Sequence, residues 1–216
     1  IVLTEESAAV LAKNATGGTS EPLNTTTRAL AQSFYTTATA NVSALELSIF
    51  ASGVGTAAGS VRVRIETDLL GSPSGELVNP NAISNAISVF NLPSALQGVS
   101  FTFPDAFSLP SDTMYWIVLV TESGYQPGGR TVEWGRSSSD VYPGAAVVPV
   151  SIIPDRRGMT TRATEADGWF PVFAAGPVAT DAVFSISAVT RFTEGGRAYK
   201  VSYYNSFTGH ISNPSS

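Results

Sequence analysis

The chain of 216 residues carries a formal net charge of −5, only 13% charged residues, 0 Cys and 1 His. The absence of Cys excludes disulfides and thiolate metal sites, and a single His excludes a histidine metal cluster. The acidic balance argues against binding nucleic acid, because contact with backbone phosphates needs a basic surface. With 27 Ser, 22 Thr, 19 Gly and 13 Pro, the composition is typical of one large, turn-rich β domain.

Residues 1–27 differ from the rest of the chain. Thr4-Glu5-Glu6 can cap a short helix that runs to Lys13, whereas residues 14–27 have the Gly, Ser, Thr and Asn content of an extended arm. The start at Ile1 fits a removed leader of an exported protein, and it fits a missing N-terminal segment equally well. Because no apolar run approaches the roughly 20 residues of a membrane helix, no membrane span is expected.

From Arg28 onward the apolar residues recur with a period of two, which predicts strands. Leu45, Leu47 and Ile49 share one face of a strand, and residues 61–66 alternate three aliphatic side chains with three charged ones. The run 114–120 is apolar on both faces, which predicts a central strand that is covered on both sides. Further strands are predicted at residues 99–103, 131–134, 145–153, 182–192 and 198–204.

One segment permits two interpretations. Asn81-Ala82-Ile83-Ser84 is repeated as Asn85-Ala86-Ile87-Ser88, so its apolar residues also fit helical spacing. Pro80 and Pro93 bracket the segment and favour a strand, while a short helix remains the alternative. Gly- and Pro-rich turns separate about ten strands, and this spacing predicts a two-sheet antiparallel sandwich or a barrel.

Several of these motifs occur in the same order in one known family. Ala31-Gln32-Ser33-Phe34 precedes the strand with Leu45, Leu47 and Ile49, the strand 61–65, the turn 71–75, and then Leu109, Thr113, Tyr115 and Trp116. This order, over residues 28–190, resembles bacterial and phage jelly-roll modules of the choice-of-anchor type, except that Asp112 replaces their usual Gly. The resemblance implies a jelly-roll fold on exported surface proteins or phage appendages, with carbohydrate binding in some relatives. It implies no catalytic residue.

The predicted fold is therefore all-β, an antiparallel two-sheet jelly-roll-like β-sandwich with extended N- and C-terminal arms. We divide the chain into an N-terminal arm (residues 1–27), the sandwich (28–192) and a C-terminal strand and tail (193–216). Arms on a rigid sandwich tie subunits together by strand addition or packing. Only 2 Lys are present to guard strand edges, which favours edges that a neighbouring subunit covers. We expect a homo-oligomer or other neighbouring subunits of an assembly.

Aromatic side chains in loops are the candidate carbohydrate site. Sugar rings stack on exposed aromatic faces, and Trp169, Tyr125 and Tyr142 lie next to Gly or Pro in predicted loops. Loop aromatics more often cover the end of a sandwich, which is the alternative. Trp116 lies in the apolar run and is expected in the core, and Trp134 shares a face with Val132, which also indicates core.

Two arginines are the candidate anion site. Arg62 and Arg64 share the polar face of one predicted strand with Glu66, where they can bind an anionic glycan or a partner's carboxylates. The alternative is a charged outer face that keeps the sheet soluble.

Catalytic and metal-binding patterns are weak. His210 lies near the C-terminus without a Gly-x-Ser-x-Gly motif, so Ser-His chemistry is not expected. Paired carboxylates for glycoside hydrolysis would come from loops, whereas Glu46, Glu66 and Glu133 lie on polar strand faces. The loop candidates are Asp105, Asp112, Asp140, Asp155, Glu165 and Asp167. We expect no cofactor, although loop aspartates of a sandwich can assemble a structural Ca²⁺ site.

These observations predict a non-enzymatic structural or attachment subunit of a multimeric assembly, such as a phage appendage or an extracellular filament. The expected setting is the cell exterior or a virus particle. The alternative is a secreted carbohydrate-binding module, and the third hypothesis is a glycoside hydrolase-like enzyme.

Overall fold

The computed structural model describes residues 10–14, 18–24, 27–36, 38–55, 58–122, 124–126, 129–137, 159–164, 168–171, 182–189, 204–205 and 210–211. Over these residues the protein is all-β, and every strand pair is antiparallel. The strands are β1 (Val10–Asn14), β2 (Thr19–Leu23), β3 (Ala29–Thr36), β4 (Ala40–Ser52), β5 (Ser60–Asp68), β6 (Pro73–Leu77), β7 (Ile87–Ser88), β8 (Gln97–Leu109), β9 (Thr113–Thr121), β10 (Thr131–Arg136), β11 (Thr160–Arg162), β12 (Phe170–Pro171), β13 (Phe184–Val189), β14 (Tyr204–Asn205) and β15 (His210–Ile211).

The first sheet is organised around the long strand β4. One side of β4 pairs with β8 along most of its length. The other side pairs with β13 over its first half and with β10 over its second half, so β13 and β10 lie end to end. The N-terminal strands complete the sheet, because β1 pairs with β13 and β2 pairs with β10.

The second sheet has the order β12-β11-β3-β9-β5-β6, and β7 pairs with β5 next to β6. Its centre is β9, which pairs with both β3 and β5. Among the described residues, β14 and β15 pair only with each other.

The core lies between the facing sides of the two sheets. Leu45, Leu47 and Ile49 of β4 point inward, as their alternation predicted, and face the aliphatic residues of β5. The Trp134 side chain is fully buried, and its Nε1 donates to the Val183 carbonyl at 2.9 Å. Each large apolar side chain buried in this way contributes about 1.5–3 kcal/mol to folding. The predicted two-sheet sandwich is thus confirmed.

The central strand β9 is buried on both faces, as its apolar run predicted. Its inward residues join the main core, whereas Trp116 and Val118 form a second cluster with Ala29 and Ala31 on the outer side. Trp169 packs against this outer cluster. The second sheet therefore has an apolar covering on its outer side near β3 and β9.

The described part of the N-terminal segment belongs to the sandwich. β1 is a strand paired with β13, so the helix predicted to run to Lys13 is wrong over Val10–Asn14. β2 pairs with β10, and Leu23 at its end is fully buried in the core. Strand pairing has overridden the local helix signal, and these residues form sheet edges instead of a free arm. The three-part division of the chain stays a prediction.

The repeated segment 81–88 is neither a full strand nor a helix. Ala82 and Ser84 follow the edge of β5 through backbone hydrogen bonds with Ile65 and Val63, and only Ile87–Ser88 forms a short strand. A single 3₁₀ turn, Val89–Asn91, follows it. Strands are confirmed at 99–103, at 131–134 and, over Phe184–Val189, within 182–192. The strand predicted at 145–153 lies outside the described residues.

Candidate functional site

Tyr125 is a core residue, so its predicted role as an exposed sugar platform is wrong. Only 4% of the residue is exposed. Its hydroxyl donates to the Leu23 carbonyl at 2.7 Å and accepts from the Val132 amide at 3.1 Å, which ties β2 to β10. The neighbouring Gly and Pro indicated a loop, but they carried no information about the two backbone partners that bury the ring.

Removing this hydroxyl is expected to destabilise the protein by about 1–3 kcal/mol, because Tyr125→Phe leaves a buried carbonyl and a buried amide without their partner. Burial raises the pKa of Tyr125, against smaller lowering effects of the Val132 amide and Arg28. The folded state then holds this proton more tightly, so the contribution is complete below about pH 10 and is lost at higher pH. Urea unfolding at pH 7 and at alkaline pH measures both effects.

Tyr115→Phe is the matched control, because the Tyr115 hydroxyl donates to one carbonyl, that of Pro110 at 3.3 Å, its other interaction is with the Thr113 side chain, and it bridges no backbone amide to a carbonyl. The Tyr125 variant should lose more stability at pH 7 than this control and should show a shallower alkaline decline than the wild type. Equal losses in the two variants would contradict the bridging role.

The other predicted aromatic residues do not form a platform with Tyr125. Trp169 lies on the outer side of the second sheet, whereas Tyr125 lies in the core on its inner side. The Arg162 guanidinium stands 4.6 Å from the centroid of the Trp169 ring, so one ring face is occupied. Tyr142 lies outside the described residues.

Arg62 and Arg64 are engaged within the sheet. Nη2 of Arg62 donates to Oε2 of Glu122 at 3.1 Å. Nη2 of Arg64 donates to the Gly75 carbonyl at 2.9 Å, and its Nε lies 3.2 Å from Oε1 of Glu66. These contacts favour the alternative of a charged outer face over an anion-binding site.

Glu66 is fully buried, although its alternation with aliphatic residues predicted an exposed position. Its Oε2 accepts from the Gly75 amide at 2.8 Å while its Oε1 faces Arg64. The carboxylate therefore joins β5 to β6 at the base of the hairpin between them. Alternation identified the correct face, but it could not show that the hairpin folds over this face.

The hairpin between β5 and β6 ends in a tight turn at Leu69–Ser72. The backbone amides of Leu69 and Ser72 each donate to the other residue's carbonyl. The Asp68 carboxylate fixes the turn, because it accepts from Nε1 of Trp116 at 2.8 Å and from the Gly71 amide at 3.1 Å. The predicted turn at 71–75 is thus displaced toward the N-terminus, and Pro73 begins β6. These hydrogen bonds anchor the tip of the hairpin.

Two leucines project from this turn, and we call Leu69 and Leu70 the Leu-Leu tip. They are 59% and 84% exposed. Leu70 has a φ of 52° and Gly71 a φ of 80°, which are the left-handed conformations of a two-residue hairpin turn that prefers Asn-Gly. A left-handed conformation costs a residue such as Leu about 1–2 kcal/mol. An exposed apolar residue held under strain indicates a role outside the folding of the chain.

At the opposite end of β5, Val54 projects from the loop after β4. It is 99% exposed and lies between Gly53 and Gly55, both with positive φ. An added Cβ at either glycine would lie 2.7–2.8 Å from backbone atoms of Gly129, so the loop packs directly on that backbone. Val54 is therefore presented by a closely packed loop.

Phe90 lies at the same end, in the 3₁₀ turn before β8, and it is 74% exposed. The Arg130 guanidinium holds this turn against β4, because it donates to the Ala51, Leu92 and Phe90 carbonyls at 3.0, 3.3 and 3.5 Å. We call Val54 and Phe90 the Val54–Phe90 patch. Its backbone is fixed by glycine packing and by one arginine.

The two ends carry opposite charges. Asp112 is exposed in the turn before β9, and the pairing of Tyr115 with Thr67 places that turn beside the Leu-Leu tip, where Asp68 also lies. Glu122 at the patch end lies beside Ser60, and its charge is balanced by its ion pair with Arg62. Arg130 and Arg28 lie at the same end, next to β10 and β3, and leave it positive. Among the described residues, neither arginine forms an ion pair with a carboxylate.

The remaining candidates stay separate. Asp105 and Asp112 are exposed, while Asp140, Asp155, Glu165 and Asp167 lie outside the described residues. His210 lies in β15, of which only the backbone is described. Within the described ranges, no group of three His, Asp or Glu residues could hold a metal ion. No helix there is long and apolar enough to cross a membrane.

Asp112, where the sequence departs from the resembled pattern, has a left-handed backbone conformation. Asp112 has a φ of 54°, which Asp and Asn tolerate better than most residues. The family assignment stays a prediction. No family model matches the chain, and neither a curated protein nor a solved structure matches it.

Proposed function

We propose that the chain is a non-enzymatic structural or attachment subunit of a multimeric assembly. The observation that supports this proposal most is the pair of exposed apolar surfaces at the two ends of the sandwich. Its setting would be a phage appendage or a surface filament outside the cytoplasm, a part of the proposal that rests on the sequence resemblance.

Scattered single apolar residues on a surface need no explanation, but grouped ones on rigid loops favour an interaction role. The Leu-Leu tip and the Val54–Phe90 patch each combine two such side chains with a backbone fixed by hydrogen bonds or glycine packing. Fixed loops lose little conformational freedom on association, which favours binding. The tip also retains a leucine where Asn would relieve strain.

The two other hypotheses receive less support from the described residues. A carbohydrate platform would need exposed aromatic faces, but Tyr125 is buried and Trp169 is covered on one face by Arg162. A glycoside hydrolase would need paired carboxylates in a cleft, whereas Glu66 is used inside the β5–β6 hairpin.

The native mass of the full chain tests the proposal. Sedimentation or light scattering from micromolar to about 1 mM protein is expected to show concentration-dependent species larger than the monomer. Association weaker than about 1 mM corresponds to less than about 4 kcal/mol of binding free energy. A strictly monomeric protein over this range would contradict the proposal, and glycan binding lost in Trp169→Ala would favour the carbohydrate alternative.

A further inference from the structure

We propose that copies of this chain associate head to tail, with the Leu-Leu tip of one copy on the Val54–Phe90 patch of the next. This inference rests on the proposed function, because it specifies which surfaces make the assembly.

The geometry places the two surfaces at opposite ends of one strand. β5 runs from Ser60, after the Val54 loop, to Asp68, before the Leu-Leu tip. The eight steps from Ser60 to Asp68 span about 26–27 Å at 3.2–3.4 Å each. Because the two surfaces are far apart, a contact uses the tip of one copy and the patch of the other. It leaves one tip and one patch free, so the same contact can repeat. Head-to-tail contacts of this kind generate filaments, or rings where the rotation closes.

The two ends match in their apolar content. Each presents two exposed large apolar side chains, from a hairpin turn at one end and from two adjacent loops at the other. Covering both pairs in one contact removes them from water together, which is favourable in proportion to the apolar area buried.

The charges at the two ends are also complementary. Asp112 at the tip end is exposed, and Arg130 at the patch end has no carboxylate partner among the described residues. A tip-to-patch contact brings opposite charges together, whereas tip-to-tip and patch-to-patch contacts bring like charges together. Charge complementarity sets orientation and suppresses the wrong pairings. This argues for a second copy of the chain as the occupant.

The outer edge of β8 is less suited to assembly by strand pairing than the two ends of the sandwich are. The outer edge of β8 is partly occupied, because the backbone amide of Asn85 donates to the Thr102 carbonyl at 2.8 Å. Pro104 interrupts the same edge, and proline cannot donate to a new strand. Assembly through the ends leaves this protected edge as it is.

A mixing experiment with two variants of the full chain tests the inference. The tip variant is Leu69→Ser with Leu70→Asn, which creates an Asn-Gly turn and should keep or raise the Tm. The patch variant is Val54→Ser with Phe90→Ser. At a protein concentration at which the wild type assembles, each variant alone should be monomeric. Their 1:1 mixture should form a dimer and nothing larger, because the intact tip of one variant binds the intact patch of the other.

Phe170→Ser is the matched control, because Phe170 is 62% exposed on β12, at the opposite edge of the second sheet from β6 and β7. This variant should assemble like the wild type. Thermal unfolding of every variant checks the fold. Asp112→Asn, which tolerates the positive φ, should weaken wild-type association about two- to fivefold at low salt and have no effect at 0.5 M NaCl.

The outcomes separate the inference from the proposed function. A wild-type chain that stays monomeric overturns both. Wild-type assembly that survives in the folded tip or patch variant overturns the head-to-tail contact alone. So does a patch variant that dimerises by itself, which indicates tip-to-tip pairing, or a mixture that stays monomeric. Wild-type binding only to lipid vesicles or to another protein, without self-association, also overturns the inference.

Discussion

Replacing Gly59 by alanine is expected to cost the protein about 2–4 kcal/mol of unfolding free energy. Gly59 has a φ of 83°, where a Cβ costs roughly 1 kcal/mol or more. An added Cβ would also overlap the backbone N and Cα of Tyr125 and lie 2.8 Å from the Gly124 carbonyl carbon. Backbone atoms cannot rotate away, so the loop between β9 and β10 must shift, at the 1–3 kcal/mol typical of overpacking.

Gly75→Ala separates these two costs. Gly75 has the same φ of 83°, but an added Cβ would meet nothing within 4 Å. This variant should therefore lose only the conformational cost, about 1 kcal/mol. Urea or guanidinium unfolding of the two variants and the wild type gives the difference directly. Equal losses at the two positions would show that the contact between Gly59 and Tyr125 carries no weight.

Replacing Glu66 by glutamine is expected to cost about 2–3 kcal/mol. Removing one partner of a fully buried ion pair costs about 3–5 kcal/mol, and the value is reduced here because the Arg64 side chain keeps 18% exposure. Glutamine preserves the shape and an acceptor for the Gly75 amide, so the loss isolates the charge opposite Arg64. Chemical denaturation at pH 7 measures it.

Glu76→Gln is the matched control on the same hairpin, because Glu76 is exposed on β6, and it should change stability by no more than about 0.5 kcal/mol. The double variant Arg64→Met with Glu66→Leu removes both charges and should recover part of the loss. If Glu66→Gln and Glu76→Gln cost the same, the buried carboxylate is not needed at the base of the hairpin.

The faces of individual strands were predictable from sequence, because alternation depends on local geometry alone. Leu45, Leu47 and Ile49 face the core as expected, and the apolar run of β9 is covered on both sides. A strand that is apolar on both faces must be covered on both sides, so the central position of β9 in its sheet could also be predicted.

Burial set by distant partners was not predictable. Glu66 lies on the expected outer face but is covered by its own hairpin, and Tyr125 is enclosed by Leu23 and Val132 from two other strands. The sequence did not predict β2, because Pro22 and its polar neighbours have the composition of an extended arm. An edge strand nevertheless tolerates proline.

The candidate surfaces were also hidden from sequence. Leu69 and Leu70 precede the turn predicted at 71–75, so nothing in the sequence placed them at the tip of the hairpin. Val54 and Phe90 lie 36 positions apart, and only Arg130 and the glycine packing show that they share one end of the sandwich. Exposure at a shared end is a property of the tertiary structure.

The end-to-end arrangement of β10 and β13 along β4 has a consequence for synthesis of the chain on the ribosome. The first half of β4 acquires its neighbour on that side only when Phe184–Val189 has been made, more than 130 residues later. β1 waits longer, about 170 residues, since among the described strands of the first sheet it pairs with β13 alone. Within the described residues, the first and last strands of the first sheet therefore pair with each other only late in synthesis. Such distant pairings slow folding, because the loop must close before any contact compensates for the lost entropy.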